Sequence, residues 1–155
     1  ETFIEDRLFA TLDTLTREVT LSGGGTAGRG GGSGRRIRLI DTVGFIRKLP
    51  HHLVASFRAT LEEAARADVL LHVIDAAHPD WEEQAAVVDE VLGELAANGR
   101  LVRVFNKMDL LPDPDAFRAQ VAHRFEDSVF VAARSGRVTE LLVSLQRALA
   151  TASHC

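Results

Sequence analysis

The sequence is 155 residues long, 46% hydrophobic and carries a net charge of −4, enough apolar material for one domain with its own core. A pI near 5.9 excludes the overall positive charge of a general nucleic-acid binder. The only cysteine is Cys155, so no disulfide framework forms within these residues. No run is apolar enough for a secretion signal or a membrane span, and a reducing, cytoplasmic setting is expected.

Residues 1–15 show no clean period and read as irregular. Arg17 to Leu21 alternates apolar Val19 and Leu21 with Glu18 and Thr20, the pattern of a half-buried strand. Residues 22–34 then hold eight of the twelve glycines. A glycine-rich loop can cradle phosphates, but the P-loop pattern needs a Lys-Ser or Lys-Thr pair, and none occurs in the sequence. A long hairpin connection to a second strand, Arg36 to Ile40, is the simpler reading. That strand delivers Asp41 and Gly44 to the loop that follows, at the end where parallel α/β sheets bind ligands.

Pro50 precedes a helix whose apolar stripe is Leu53, Phe57, Leu61 and Ala64, with Glu62 and Arg66 spaced to pair on its other face. Val69 to Ile74 is nearly all apolar and ends at Asp75, as a strand buried on both faces does. Trp81, Ala85, Val88, Leu92 and Leu95 mark the next helix, which Asn98-Gly99 is expected to close. Leu101 to Phe105 is a strand running into Asn106, and Asp113-Pro114 supplies an N-cap and first-turn proline for a helix to about His123. A short strand at Ser128 to Val131 and a last helix striped by Val138, Leu141, Leu142, Leu145 and Leu149 complete the chain. The predicted order is β-β-α-β-α-β-α-β-α: an α/β fold with a mostly parallel sheet and helices on both faces.

The chemistry concentrates in Asn106-Lys107-Met108-Asp109 at a strand end. A carboxylate there accepts from both the N1 hydrogen and the 2-amino group of guanine. Adenine offers neither donor on that edge and would leave the carboxylate unpaired. Asn106 would reach the N7/O6 side or tie neighbouring loops together, and the Lys107 stem would cover the base face. Of the histidines, adjacent His51 and His52 point apart and lack partner spacing for a metal, and His72 inside a strand reads as a satisfied core histidine.

DTVGF at 41–45 and NKMD at 106–109 resemble the third and fourth motifs of the translation-factor-like GTPases. With LFATLD at 8–13 and DTVGFIRKLPHHLVASFRATLEEAARADVLLHVIDAAHP at 41–79, the sequence closely resembles the HflX family of ribosome-associated GTPases. The resemblance implies a small-GTPase-like P-loop NTPase fold, here lacking its first strand and P-loop, and covering a partial G domain from switch I to the C-terminal helix. It implies a parent that binds GTP or GDP with Mg²⁺, hydrolyses GTP and associates with the large ribosomal subunit and its RNA, as a monomer. The alternative is a non-catalytic structural or interaction fragment. The implied nucleotide contacts are Phe9, Ala10, Thr11, Leu12 and Asp13, then Asp41, Thr42, Val43 and Gly44, then Asn106, Lys107, Met108 and Asp109, and finally Ala132, Ala133 and Arg134. Thr11 would bind Mg²⁺ through its hydroxyl and Asp41 through water, while the Gly44 amide would meet the γ-phosphate.

The sequence departs from the wider GTPase pattern in two further places, the second of them shared with HflX relatives. The base-sensing Ser-Ala-x motif is Ala132-Ala133-Arg134, so the Ala133 amide is expected at guanine O6 while the missing serine hydroxyl leaves that loop less firmly fixed. Phe45 stands where many GTPases place a glutamine that orients water, so catalytic help must come from a partner, a monovalent cation or backbone groups. Arg47 and Lys48, beside this motif, suit either ribosomal RNA or ordinary surface charge. Without the P-loop the 155 residues alone are expected to bind GTP too weakly to measure at micromolar concentration. A gap is expected between the strands at 36–40 and 69–74, leaving unpaired edges that favour aggregation.

Overall fold

The computed structural model describes residues 15–21, 35–42, 62, 65–95, 99–125 and 127–152. They belong to two compact units, residues 1–64 and 65–155. In the first, β1 (Leu15–Leu21) and β2 (Arg35–Asp41) form an antiparallel hairpin. Its register sets Val19 opposite Ile37 and Glu18 opposite Arg38, one apolar and one opposite-charge pair across the ladder. The hairpin expectation holds for both strands. The glycine-rich connection and the helix expected from Leu53 to Ala64 lie outside the described residues, apart from Glu62, which is helical.

The second unit holds β3 (Val69–Asp75), β4 (Arg100–Asn106) and β5 (Ser128–Phe130), parallel and in the order β3-β4-β5. The described strands thus form two separate sheets, β1-β2 and β3-β4-β5. The helices are α1 (Trp81–Glu94), α2 (Pro114–Arg124) and α3 (Thr139–Ala152). Side chains alternate across a strand, so the central strand β4 sends Phe105 to one face and Val102 and Val104 to the other. Phe105 joins Ile74, Trp81, Ala85, Val121 and Phe130 under α1 and α2. Val102 and Val104 join Val129, Val131 and Ala148 of α3. Helices therefore cover both faces, as expected. Asp113 Oδ1 accepts the Ala116 amide at 2.9 Å with Pro114 in the first turn, so the predicted start of α2 is also the observed one.

Three expectations are corrected. β3 is not buried on both faces: Ile74 packs in the core, but Val73, pointing the other way, is 61% exposed. α1 is not closed by Asn98-Gly99. It ends at Glu94, with the Leu95 amide bonded to the Val91 carbonyl. Gly99 instead lets β4 begin close against its neighbour, since a Cβ there would lie 2.2 Å from the Ala67 carbonyl oxygen. His72 is half-buried and not satisfied, because its buried Nδ1 has no hydrogen-bond partner. Asp89 of α1 lies 3.9 Å from that nitrogen and is itself held by two 2.9 Å bonds from Arg103 Nη2.

Burial lowers the His72 pKa, Asp89 raises it less, and Arg103 lowers it further. A histidine kept neutral by the fold contributes stability that is full above its unfolded pKa and is lost as pH falls through the lower folded value. The melting temperature is therefore expected to fall as pH drops from 7 below the ordinary value of 6.5. Thermal melts across that range check this, with His72→Leu giving a flatter dependence. An unchanged slope in that variant would assign the acid sensitivity to other groups.

Candidate functional site

Three strand-end segments of the second unit meet at the carboxyl edge of the parallel sheet. β4 ends at Asn106, and the next residue, Lys107, is left-handed at φ 66°, the only non-glycine with positive φ among the described residues. That turn is uncommon for an L-residue and diverts the chain sharply out of the strand. A single 3₁₀ turn, Met108–Leu110, follows, with the Leu110 amide on the Lys107 carbonyl at 2.9 Å. The hydrophobic residue of the four is what seats the turn. Met108 is buried against the core, and its amide bonds the Val131 carbonyl at 3.2 Å, while Lys107 and Asp109 remain exposed.

Asn106 performs the tying role foreseen as one of its two options. Its Oδ1 accepts the Lys107 amide at 2.8 Å and the Ala133 amide at 3.1 Å, joining the 106–109 turn to the 132–137 loop. The Ala133 N–H, expected to face guanine O6, is therefore already engaged. Nor is the 132–137 loop loosely held for want of a serine. Ala132 and Arg137 exchange backbone bonds of 3.0 and 3.1 Å, and Gly136 supplies the left-handed residue that closes the turn, at φ 71°. Ala132 is itself buried, so backbone pairing and packing replace the absent hydroxyl. Arg134 is exposed.

Two participants were not singled out in the sequence. Ser135 Oγ lies 3.4 Å from Asp109 Oδ2, a long contact that brings a hydroxyl to the carboxylate from three positions beyond the expected serine. Asp75, at the end of β3, pairs through Oδ2 with Lys107 Nζ at 2.5 Å and through Oδ1 with the Ala77 amide at 3.1 Å. A backbone bond of 2.9 Å from the Ala76 amide to the Asn106 carbonyl runs alongside. A hydroxyl in a loop and a carboxylate at a strand end are too common to stand out without the fold that aligns them.

Asp41 ends β2 and Thr42 follows it, both exposed, in the first unit. Phe9, Ala10, Thr11, Leu12, Asp13, Val43, Gly44 and Phe45 lie outside the described residues, as do Arg47, Lys48, His51 and His52. Among the described residues no cluster of three acidic, histidine or cysteine side chains could cage a metal ion. Mg²⁺ does not need one, because it is held by one or two carboxylates plus water and phosphate oxygens, and the exposed strand-end Asp41 fits that role. No described helix is long and apolar enough to cross a membrane.

Comparison with known proteins bears directly on this arrangement. Residues 1–107 match the family model described as 50S ribosome-binding GTPase. The chain is 45% identical over 150 residues to a GTPase HflX of Magnetococcus marinus, covering 96% of this chain and 32% of the relative. It is 49% identical over 112 residues to a GTPase HflX of Caldanaerobacter subterraneus subsp. tengcongensis, covering 72% and 24%. It thus spans a third or less of those relatives' length. Among solved structures, a GTP-binding protein from the archaeon Sulfolobus solfataricus in complex with GDP superposes with a TM-score of 0.64 at 26% identity, over 76% of this chain and 42% of that one. A family match across more than half of the residues, joined to these identities, bears out the HflX resemblance: the chain belongs to the 50S ribosome-binding GTPase family.

Proposed function

We propose that these residues are the switch I to C-terminal-helix portion of a G domain. The whole protein, in this reading, is a cytoplasmic, monomeric GTPase that binds GTP and GDP with Mg²⁺ and associates with the large ribosomal subunit according to its nucleotide. The observation that carries the reading is the placement of Asn106 to Asp109. A buried Met108 anchors the turn, and an exposed Asp109 carboxylate is left at the sheet edge where parallel α/β folds bind nucleotides.

In this reading Asp109 selects guanine by accepting from N1 and the 2-amino group, the Lys107 stem covers the base, and Asn106 holds the two base-contacting loops together. Thr11 and Asp41 hold Mg²⁺, which supplies charge neutralisation at the phosphates. Phe45 offers no group that orients water, so the attack on the γ-phosphate depends on a group from the ribosome, a monovalent cation or the backbone. The nucleotide state then governs both switch segments and, through them, ribosome binding.

Competition against a fluorescent guanosine diphosphate on the full-length protein tests this. GDP is expected to displace the probe at least about 100-fold better than ADP, because a base without those two donors leaves the desolvated carboxylate unpaired. Equal displacement by ADP would overturn the reading.

A further inference from the structure

The Asp75 carboxylate has no part in the reading above, yet it makes the tightest polar contact of the sheet edge. Its partner, Lys107, stands 32 positions away in sequence and is half exposed. An exposed ion pair alone would carry little meaning. Three features set this one apart. The other carboxylate oxygen is fixed by the Ala77 amide at 3.1 Å, so Asp75 is an oriented acceptor rather than a free side chain. The Lys107 backbone is held in the left-handed region with its amide on Asn106 Oδ1 at 2.8 Å. The lysine is therefore tethered at both ends, and only its methylene stem remains between them. Finally, the β3 and β4 ends are joined directly by the bond from the Ala76 amide to the Asn106 carbonyl, so the anchor and the lysine share one rigid edge.

We propose that Asp75 is a positioning residue for nucleotide binding: it pins the Lys107 ammonium so that the stem is already laid out as the cover for the base. The inference rests on the assignment of residues 106–109 as the base-reading segment. A lysine side chain is rich in rotamers, and ordering it before the ligand arrives removes that cost from binding. Without Asp75 the ammonium is released to solvent, the stem samples many conformations, and each binding event must order it again. The effect falls on affinity for any nucleotide with a planar base and leaves base choice, set by Asp109, unchanged.

The test is a double-mutant cycle on the full-length protein, read by titration with fluorescent GDP. Asp75→Asn is expected to weaken GDP about five- to tenfold, mostly through faster release, and Asp75→Glu to restore part of the loss. In a Lys107→Met background Asp75→Asn is expected to cause no further loss, because the group it positions is gone. The melting temperature should shift by no more than about 2 °C, as for an exposed pair. Equal losses in both backgrounds, or no loss in either, overturn the inference. Asp109→Asn in the same titration separates the two readings. Xanthosine diphosphate replacing GDP in that variant, with an additive Asp75–Lys107 cycle, removes only the positioning role. Failure of that exchange removes the base-reading assignment and this inference with it.

Discussion

Asp109→Asn is expected to exchange the base preference of the protein, weakening GDP by about 100-fold and making xanthosine diphosphate the better ligand. Donor and acceptor counts set this preference. Guanine presents two donors on this edge, N1–H and the 2-amino group, and a carboxylate presents two acceptors. An asparagine keeps one acceptor but turns an N–H₂ toward the 2-amino group, leaving donor facing donor. Each buried polar group left unpaired costs about 1–3 kcal/mol, and two such groups give a loss of the stated size. Xanthine carries a carbonyl in place of the amino group, so the asparagine amide can donate to it while accepting from N1–H. Asp109 is exposed in the free protein, and its contact with Ser135 Oγ is long at 3.4 Å, so the substitution should leave the melting temperature nearly unchanged. Competitive titration with GDP, xanthosine diphosphate and ADP decides the matter. A variant that still prefers GDP would mean another residue reads the base.

Much of this architecture is legible in the sequence. β1, β2 and β4 follow from apolar spacing, and the start of α2 follows from Asp113-Pro114, because a cap and a first-turn proline act within one turn of chain. The turn after β4 is legible for the same local reason: one buried methionine among polar residues separates what anchors from what faces outward. Contacts between distant segments are another matter. The Asp75–Lys107 pair and the approach of Ser135 to Asp109 depend on which strands are neighbours and how their ends align. A strand-end carboxylate does not announce a lysine 32 residues away. The exposure of Val73 was misread because an apolar run records what a strand tends to bury, whereas burial at each position depends on the elements around it. Gly99 was misread because a glycine near a helix end suits a left-handed cap and a close backbone approach equally well, and only the Ala67 carbonyl distinguishes them. Ala132 marks the limit of motif reasoning: the loss of one hydroxyl suggested a loose loop, while backbone bonds to Arg137 and the bond from Ala133 to Asn106 hold it.

Phe105→Ala is expected to destabilise the protein by about 3–5 kcal/mol, the cost of emptying a fully buried aromatic site. Phe105 has no solvent exposure and lies at the centre of the aromatic cluster: Trp81 and Phe117 meet it edge-on at 5.3 and 5.7 Å, and Phe130 stacks at 5.6 Å. Its neighbours come from α1, α2 and β5, so truncation loosens three elements at once and none can collapse alone to refill the space. Against a typical total of about 5–15 kcal/mol the loss is large, and a fall in melting temperature of roughly 6–20 °C is expected. The same residue also precedes Asn106, and its carbonyl accepts the Val131 amide at 2.9 Å, so the core and the binding edge share one strand. Ligand binding should therefore oppose the damage. GDP at about 100 times its dissociation constant stabilises the folded state by ~2.7 kcal/mol and should recover a substantial part of the lost melting temperature. Melts of the full-length variant with and without GDP measure both effects. Phe105→Ala and Asp109→Asn, four positions apart, are then expected to behave oppositely: the first lowers stability and keeps the guanine preference, and the second keeps stability and loses it. A Phe105→Ala protein that melts within about 2 °C of the parent would show that the cluster around this ring is not what holds the parallel sheet to α1 and α2.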